Sequence, residues 1–336
     1  MNAAYLYSLI AVVLLGLLAY AGVAVAGLEG FFGIFIPYLA LIVFVVGFIR
    51  KIVEWGKTPV PFRIPTTSGQ QKSLDWIKHD QFDSPYTKTG VIGRMVLEVL
   101  LFRSLFKNSR VGFDDGGGYQ KIYYKWAIWL WLFAILFHYA FLVTVIRHLR
   151  FFTEPTPFFV EMLAKVDSMM QVGAPGMYLS GAVLLGASML LLLRRILLPK
   201  VKYISLAADY FPLILIAGIA ITGILMRHIA KVDVGAAKEL AVGLATFQPS
   251  IPDGGIGALF YVHFFLVCVL LAYIPFSKLM HLGGVFMSPT RNLPNNSRAV
   301  RHENPWNYPV KTHTYEEYED DFRDKMKEAG IPVEKE

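Results

Sequence analysis

Six apolar runs, each long enough to cross a bilayer, leave this chain few folds to adopt. They lie at residues 4–27, 31–53, 123–149, 173–198, 206–229 and 258–281, and a helix needs about 20 apolar residues to span a hydrocarbon core about 30 Å thick. Lipid offers the backbone no hydrogen-bond partner, so a spanning segment must be a helix or a strand of a closed barrel. Barrel strands read as alternating segments of about ten residues, whereas these runs are continuous. The expected fold class is an all-α integral membrane protein with six transmembrane helices. The first run has small residues at Ala24 and Ala26, as a secretory signal would. It lacks a basic start and is long for a signal core, so it reads as a retained helix.

Basic residues set the expected orientation. Arg50, Lys51, Lys57 and Arg63 follow the second run, Lys121 and Lys125 precede the third, and Arg194, Arg195, Lys200 and Lys202 separate the fourth from the fifth. Arg291, Arg298 and Arg301 follow the sixth, while the opposite loops hold chiefly Arg150, Lys165, Lys231 and Lys238. The positive-inside bias then puts both termini in the cytoplasm of a multi-pass inner-membrane protein. The net charge of +7 is explained by this topology. It gives no reason to expect nucleic-acid binding, because the basic residues sit at helix ends without a recognition motif. The one cysteine, Cys268, falls inside the sixth run and reads as a packing residue. The chain therefore cannot form an internal disulfide, ligate an iron–sulfur cluster by itself or attach a c-type haem through C-x-x-C-H.

The runs divide the chain into a transmembrane hairpin (1–53), a cytoplasmic loop (54–122), a four-helix region (123–283) and a polar tail (284–336). In the loop, Pro59, Pro61 and Pro65 predict an extended start. The spacing of Met95, Val96, Val99, Leu100 and Phe106 predicts an amphipathic helix lying on the membrane or on a partner. The tail carries Pro289, Pro294, Pro305 and Pro309 and an acidic run, Glu316 to Asp321, which reads equally as a solvated face or a docking site for a partner subunit. Gly116-Gly117-Gly118 and Gly254-Gly255 match no phosphate-binding fingerprint and read as flexible turns.

Two membrane runs each contain two histidines: His138 and His148 in the third, His263 and His281 in the sixth. Ionisable side chains are costly in hydrocarbon and usually mark a function. The helices run antiparallel, so His148 is expected to face His263 near the outer surface and His138 to face His281 near the inner one. Each pair can then give two axial nitrogens to one iron, and haem b suits both the imidazoles and the interior of a bundle. The geometry is strained. An 18-residue interval returns to the same helix face about 27 Å away, whereas a ten-residue interval covers about 15 Å. Pro275 is expected to kink the sixth helix, with Gly283 and Gly284 letting the inner end adapt. Taken singly, His148 and His281 also read as interfacial residues near helix ends. His79, His302 and His313 read as surface residues, and so does His228, which can also hydrogen-bond a haem propionate or a quinone.

The His138-to-His148 and His263-to-His281 spacings, the Arg194-Arg195 helix end and the Thr222-Gly223 pair resemble the di-haem b gamma subunit of respiratory nitrate reductase over residues 120–283. The continuation through Ser288-Pro-Thr-Arg-Asn292 and Arg301-His-Glu-Asn-Pro-Trp306 is more similar to the DsrM family, the cytochrome b subunits of DsrMKJOP complexes, and also resembles the membrane subunit of heterodisulfide reductase. The N-terminal hairpin and long loop depart from the five-helix nitrate reductase pattern and fit DsrM better. The resemblance implies two haem b groups on the four histidines and a menaquinol site near the outer one. It also implies a cytoplasmic iron–sulfur partner like DsrK, within a complex having further membrane and extracytoplasmic subunits, acting in sulfate or sulfite respiration.

Other residues near the outer end suit supporting roles. Lys165 can donate to a quinone carbonyl, and Glu154, Glu161 or Asp167 can accept a quinol proton. Arg147 and Arg150 flank His148 and can bind haem propionates, though arginines at membrane ends also snorkel to the interface. A proton-coupled transporter is the rival class. It would call for paired intramembrane carboxylates or interrupted helices, which the third and sixth runs do not display.

Overall fold

The computed structural model describes residues 3–60, 69–114, 121–169, 177–303 and 312–335. Arg63, Pro61, Pro65, Gly116-Gly117-Gly118, Pro305, Trp306 and Pro309 lie outside the described residues. Among the described residues, six helices are long and apolar enough to cross a membrane. The first two form a hairpin, α1 (Ala4–Ala24) and α2 (Ile36–Lys57), joined through Gly27 at positive φ and a π-turn over Phe31–Phe35. The loop that follows folds into α3 (Lys88–Leu101), the short α4 (Arg103–Phe106) and an antiparallel ribbon, β1 (Ser109–Asp114) with β2 (Lys121–Trp126). The ribbon is an addition to the helical architecture expected from the sequence.

The third span is α5 (Ile128–His148), followed by an amphipathic α6 (Phe158–Met169). Next come α7 (Leu179–Leu197), the short α8 (Pro199–Ile204) and α9 (Ala207–Leu225). The chain continues through α10 (Val234–Ala245), the sixth span α11 (Ala258–Tyr273), α12 (His281–Met287) and, in the tail, α13 (Tyr315–Glu328). The acidic run of the tail lies on α13, which begins with a capping box between Thr314 and Glu317.

The spans pack in a chain of neighbours: α5 on α7, α7 on α9, α9 on both α1 and α11, and α11 on α2. Val12 and Ala19 of α1 share one buried core with Leu184, Leu215 and Leu266 of α7, α9 and α11. The hydroxyl of Ser8, buried on α1, donates to the Ala207 carbonyl at 3.1 Å. Outward, the spans expose Leu9, Ile10, Leu14, Ile42, Val46 and Leu142, a pattern that suits lipid and not water.

The sixth span is not one kinked helix over 258–281. Pro275 cannot donate a backbone hydrogen bond, so α11 ends at Tyr273, passes through a 3₁₀ turn, Ile274–Phe276, and becomes extended at Ser277. A second 3₁₀ turn, Lys278–Met280, then leads into α12. Gly254 and Gly255 form a turn at φ of 90° and 73°. Gly283, by contrast, serves close packing: a Cβ there would lie 2.8 Å from Ile52 of α2.

The loop and the tail are clasped together at the end of the bundle where α5 begins. Arg94, buried on α3, donates to the carbonyls of Arg291 at 2.7 Å and Leu293 at 3.0 Å. Asn295 donates to Pro85 and Ser84, and Arg291 pairs with Glu98. Of the residues expected on one amphipathic helix, Phe106 falls on α4 beyond the break at Phe102, and on α3 Val96, Val99 and Leu100 face outward while Val91 and Arg94 are buried.

Candidate functional site

All four span histidines have Nδ1 bound to an oxygen. Side chains of a helix lean toward its N-terminus, so His138 and His148 fold back onto the carbonyls four residues earlier, Ala134 and Thr144, each at 2.7 Å. His281 reaches the Lys278 carbonyl at 2.9 Å. His263 crosses to α9 and meets Thr222 Oγ1 at 2.9 Å. The Thr222 hydroxyl lies 2.9 Å from the Gly218 carbonyl and 3.0 Å from that of Ile219, so its proton is used there and its oxygen accepts from His263. A carbonyl only accepts, so Nδ1 carries the proton in each ring. Each Nε2 is left with a lone pair, the form in which imidazole binds metals. Among the described residues, none of the four Nε2 atoms has a hydrogen-bond partner.

The rings meet in the two pairs expected from the antiparallel arrangement. His138 and His281 have ring centroids 5.8 Å apart with planes at 80°, and His148 and His263 have centroids 6.4 Å apart with planes at 21°. Two imidazoles on opposite sides of one metal, with metal–nitrogen bonds of about 2 Å, put their centroids about 6 Å apart. Two nitrogens per level suit haem, whose macrocycle supplies the other four ligands. The donor set and its spacing therefore fit two haem groups.

The spacing mismatch along the two helices is resolved by the break at Pro275. After Tyr273 the chain leaves the helix through the two turns, so His281 need not lie on the line of α11, and its ring arrives opposite His138. A Cβ at Gly47 would lie 2.7 Å from Pro275 Cβ, so α2 seats directly against the break. At the other level Gly223 makes room for a ring, since a Cβ there would lie 3.3 Å from His263 Cε1. Phe102, at φ 50°, ends α3 and sets its ring 4.9 Å from His138. Trp131 and Tyr139 of α5 cap α3 by donating to the carbonyls of Leu101 and Leu100.

Residues 124–303 match the family model of the nitrate reductase gamma subunit. The chain belongs to that family. It is also 50% identical over 281 residues to the Hdr-like menaquinol oxidoreductase cytochrome b-like subunit of Archaeoglobus fulgidus, covering 82% of this chain and 83% of that protein. The protein of the same name from Archaeoglobus profundus is 45% identical over 277 residues, covering 81% of each. The family match begins before α5 and ends beyond α12, so it takes in all four paired histidines of this gamma-type bundle.

The residues expected around the His148 level separate into two groups. Arg147 is buried, and its guanidinium is engaged by Asp167 of α6 and by Ser180 of α7. Asp167 also accepts from the Ser180 backbone N–H at 2.9 Å, so its oxygens are occupied. Arg150 lies over the Phe151 ring at 4.9 Å. Lys165 and Glu161 are exposed on α6, Glu154 pairs with Lys238, and His228 is half-buried in a π-turn over Met226–Ala230. His79 and His302 are half-buried, whereas His313 is exposed.

A second polar cluster, absent from the sequence expectations, lies at the His281 level. Asp209, buried at the start of α9, accepts from Lys278 Nζ at 2.7 Å and from the Leu206 backbone N–H at 3.0 Å. Arg195 lies 4.0 Å from the same carboxylate. A lone acid at the edge of an apolar run was the available signal, but its basic partner lies 69 residues away.

Proposed function

We propose that this chain is the di-haem cytochrome b subunit of a membrane-bound menaquinol oxidoreductase of the heterodisulfide reductase-like type. It carries electrons between menaquinol at the outer surface and a cytoplasmic iron–sulfur subunit. The observation that supports this best is the pairing of four Nδ1-anchored imidazoles at two levels of one bundle. His148 with His263 would hold the outer haem b and His138 with His281 the inner one, and haem supplies one-electron transfer when bound. The region 123–283 is then the redox unit, with both termini cytoplasmic in the inner membrane.

The protein's own groups orient and insulate. The acceptors Ala134, Thr144, Thr222 and Lys278 hold each ring in one tautomer and make its nitrogen more basic. Oxidation of menaquinol to menaquinone releases two electrons and two protons. At the outer end the exposed Lys165 and Glu161 would handle a quinone carbonyl and a released proton. Arg150 keeps positive charge beside His148, whereas the charge of Arg147 is neutralised by Asp167.

The clasp of loop and tail beneath His138 suits a cytoplasmic partner. The Ser288-to-Asn292 and Arg301-to-Trp306 stretches favour a DsrK-like subunit, which places the complex among DsrMKJOP-like assemblies and the chain in sulfate or sulfite respiration through reduction of the DsrC trisulfide. A complex closer to heterodisulfide reductase or nitrate reductase is the second reading, favoured by the family match. The test is a pyridine haemochrome and a reduced-minus-oxidised spectrum on the purified chain, followed by reduction with menaquinol. Two b haems per chain, reduced by menaquinol, are expected. A chain free of haem from a haem-replete host sinks this reading and leaves the proton-coupled transporter.

A further inference from the structure

At the His148 level, two arginines share one tyrosine. The Arg147 guanidinium carbon lies 3.9 Å from the centroid of the Tyr178 ring, and that of Arg227 lies 3.8 Å from it. Two guanidiniums this close to one ring must take opposite faces. Their electrostatic situations differ. Arg147 is buried and neutralised by Asp167, with Ser180 as a further partner. Arg227 is exposed and has no carboxylate within ion-pair distance among the described residues. Residues 170–176, which lead into Tyr178, read Met-Gln-Val-Gly-Ala-Pro-Gly and bring no acid to it.

The position of Arg227 relates it to the histidine pair. It follows Gly223 by four residues, on the same helix face about one turn farther along, and Gly223 is the residue whose absent side chain makes room for His263. Between them α9 widens into the π-turn over Met226–Ala230, a feature often found at functional sites. Arg227 thus stands about one helical turn beyond Gly223, held by Tyr178, and its donor fork meets no hydrogen-bond acceptor among the described residues. On the proposed orientation this is the outer face, where the positive-inside bias disfavours basic residues. An exposed guanidinium there can take an anion.

We infer that Arg227 is a carboxylate anchor, receiving an acidic side group of the macrocycle held between His148 and His263. This inference rests on the haem reading of that pair. A guanidinium presents a planar fork that matches a carboxylate with two parallel N–H···O bonds. Tyr178 holds that fork by its face and leaves the edge free. Asp167 occupies Arg147 and Arg150 lies against the ring of its own neighbour Phe151, so the anchor assigned is Arg227, which shares Tyr178 with Arg147 and follows the glycine that admits the His263 ring. Reduction adds negative charge at the iron, so a nearby cation favours the reduced state.

The experiment is an optical redox titration of the purified full chain, with resonance Raman of the propionate bending band, on the wild type, Arg227→Gln and Arg227→Lys. Two haems per chain should be kept in each. In Arg227→Gln the haem that His263→Ala removes should titrate at a lower potential and its propionate band should shift. Arg227→Lys, which keeps the charge, should restore most of the potential. An unchanged potential and band in Arg227→Gln overturns the inference, as does an equal change at both haems, which would mean general loosening. Loss of co-purifying phospholipid with the outer haem unmoved also overturns it, by assigning the anion to a lipid phosphate. A wild-type chain without two haems fails the parent reading instead.

Discussion

Lys278 holds His281 through its backbone and is itself held through its side chain. Its carbonyl accepts from His281 Nδ1 at 2.9 Å, and its ammonium reaches the buried carboxylate of Asp209 at 2.7 Å. The non-helical connector that aims His281 is thus tied to the first turn of α9.

Asp209→Ala should loosen that tie and leave the Leu206 N–H without its cap. We expect the haem between His138 and His281 to be retained about tenfold less tightly, the lower end of the range for lost outer partners of a metal ligand. The haem between His148 and His263 should be unaffected. Haem stoichiometry and low-temperature EPR of the two haems check this, and equal loss of both haems would count against it.

Thr222→Val keeps the shape of the side chain but removes the oxygen that accepts from His263. A less basic His263 stabilises the oxidised iron less, so the midpoint potential of that haem should rise while the other stays constant. A redox titration reads both at once.

Gly47→Val should disturb the break in the sixth span from the opposite side. Its Cβ would lie 2.7 Å from Pro275 Cβ, and overpacking of this kind costs about 1–3 kcal/mol. Thermal unfolding followed by haem release should show the variant losing the His138–His281 haem first.

Arg94→Met should release the tail. It removes the donor to the Arg291 and Leu293 carbonyls, at about 1–3 kcal/mol for buried groups left unpaired. Limited proteolysis should cut between 288 and 296 several-fold faster, while the haem spectra remain those of the wild type. Truncation after Ser288 should likewise weaken attachment of the cytoplasmic partner and spare the haems.

The C-terminal turn should respond to pH. Backbone N–H groups of Glu334 and then Lys335, together with Arg323, hold the Glu319 carboxyl below its usual range. A depressed folded-state pKa stabilises the folded turn above the unfolded value and loses that effect as pH falls through the folded one. Hydrogen exchange at 334 and 335, corrected for intrinsic rates, should be slow at neutral pH and speed up only as pH falls below the usual carboxylate range. Protection that is independent of pH, or already lost in Glu319→Gln at neutral pH, separates titration from shape: the first outcome rejects the charge mechanism, and the second supports it.

The six spans were legible in the chain because their cause is local: each run is long enough to cross lipid, and a helix satisfies its backbone within the run. The histidine pairing was legible too, since antiparallel helices fix which ends meet. Tertiary structure decided the rest. The sequence located Pro275 but could not say that the chain would leave the helix there, because the departure depends on Gly47 of α2 receiving the proline and on Ile52 lying over Gly283. The partners of Asp209, Arg94 and Asp167 were hidden for the same reason. Each charge is neutralised or satisfied by groups far along the chain, and only packing brings such groups within a hydrogen bond.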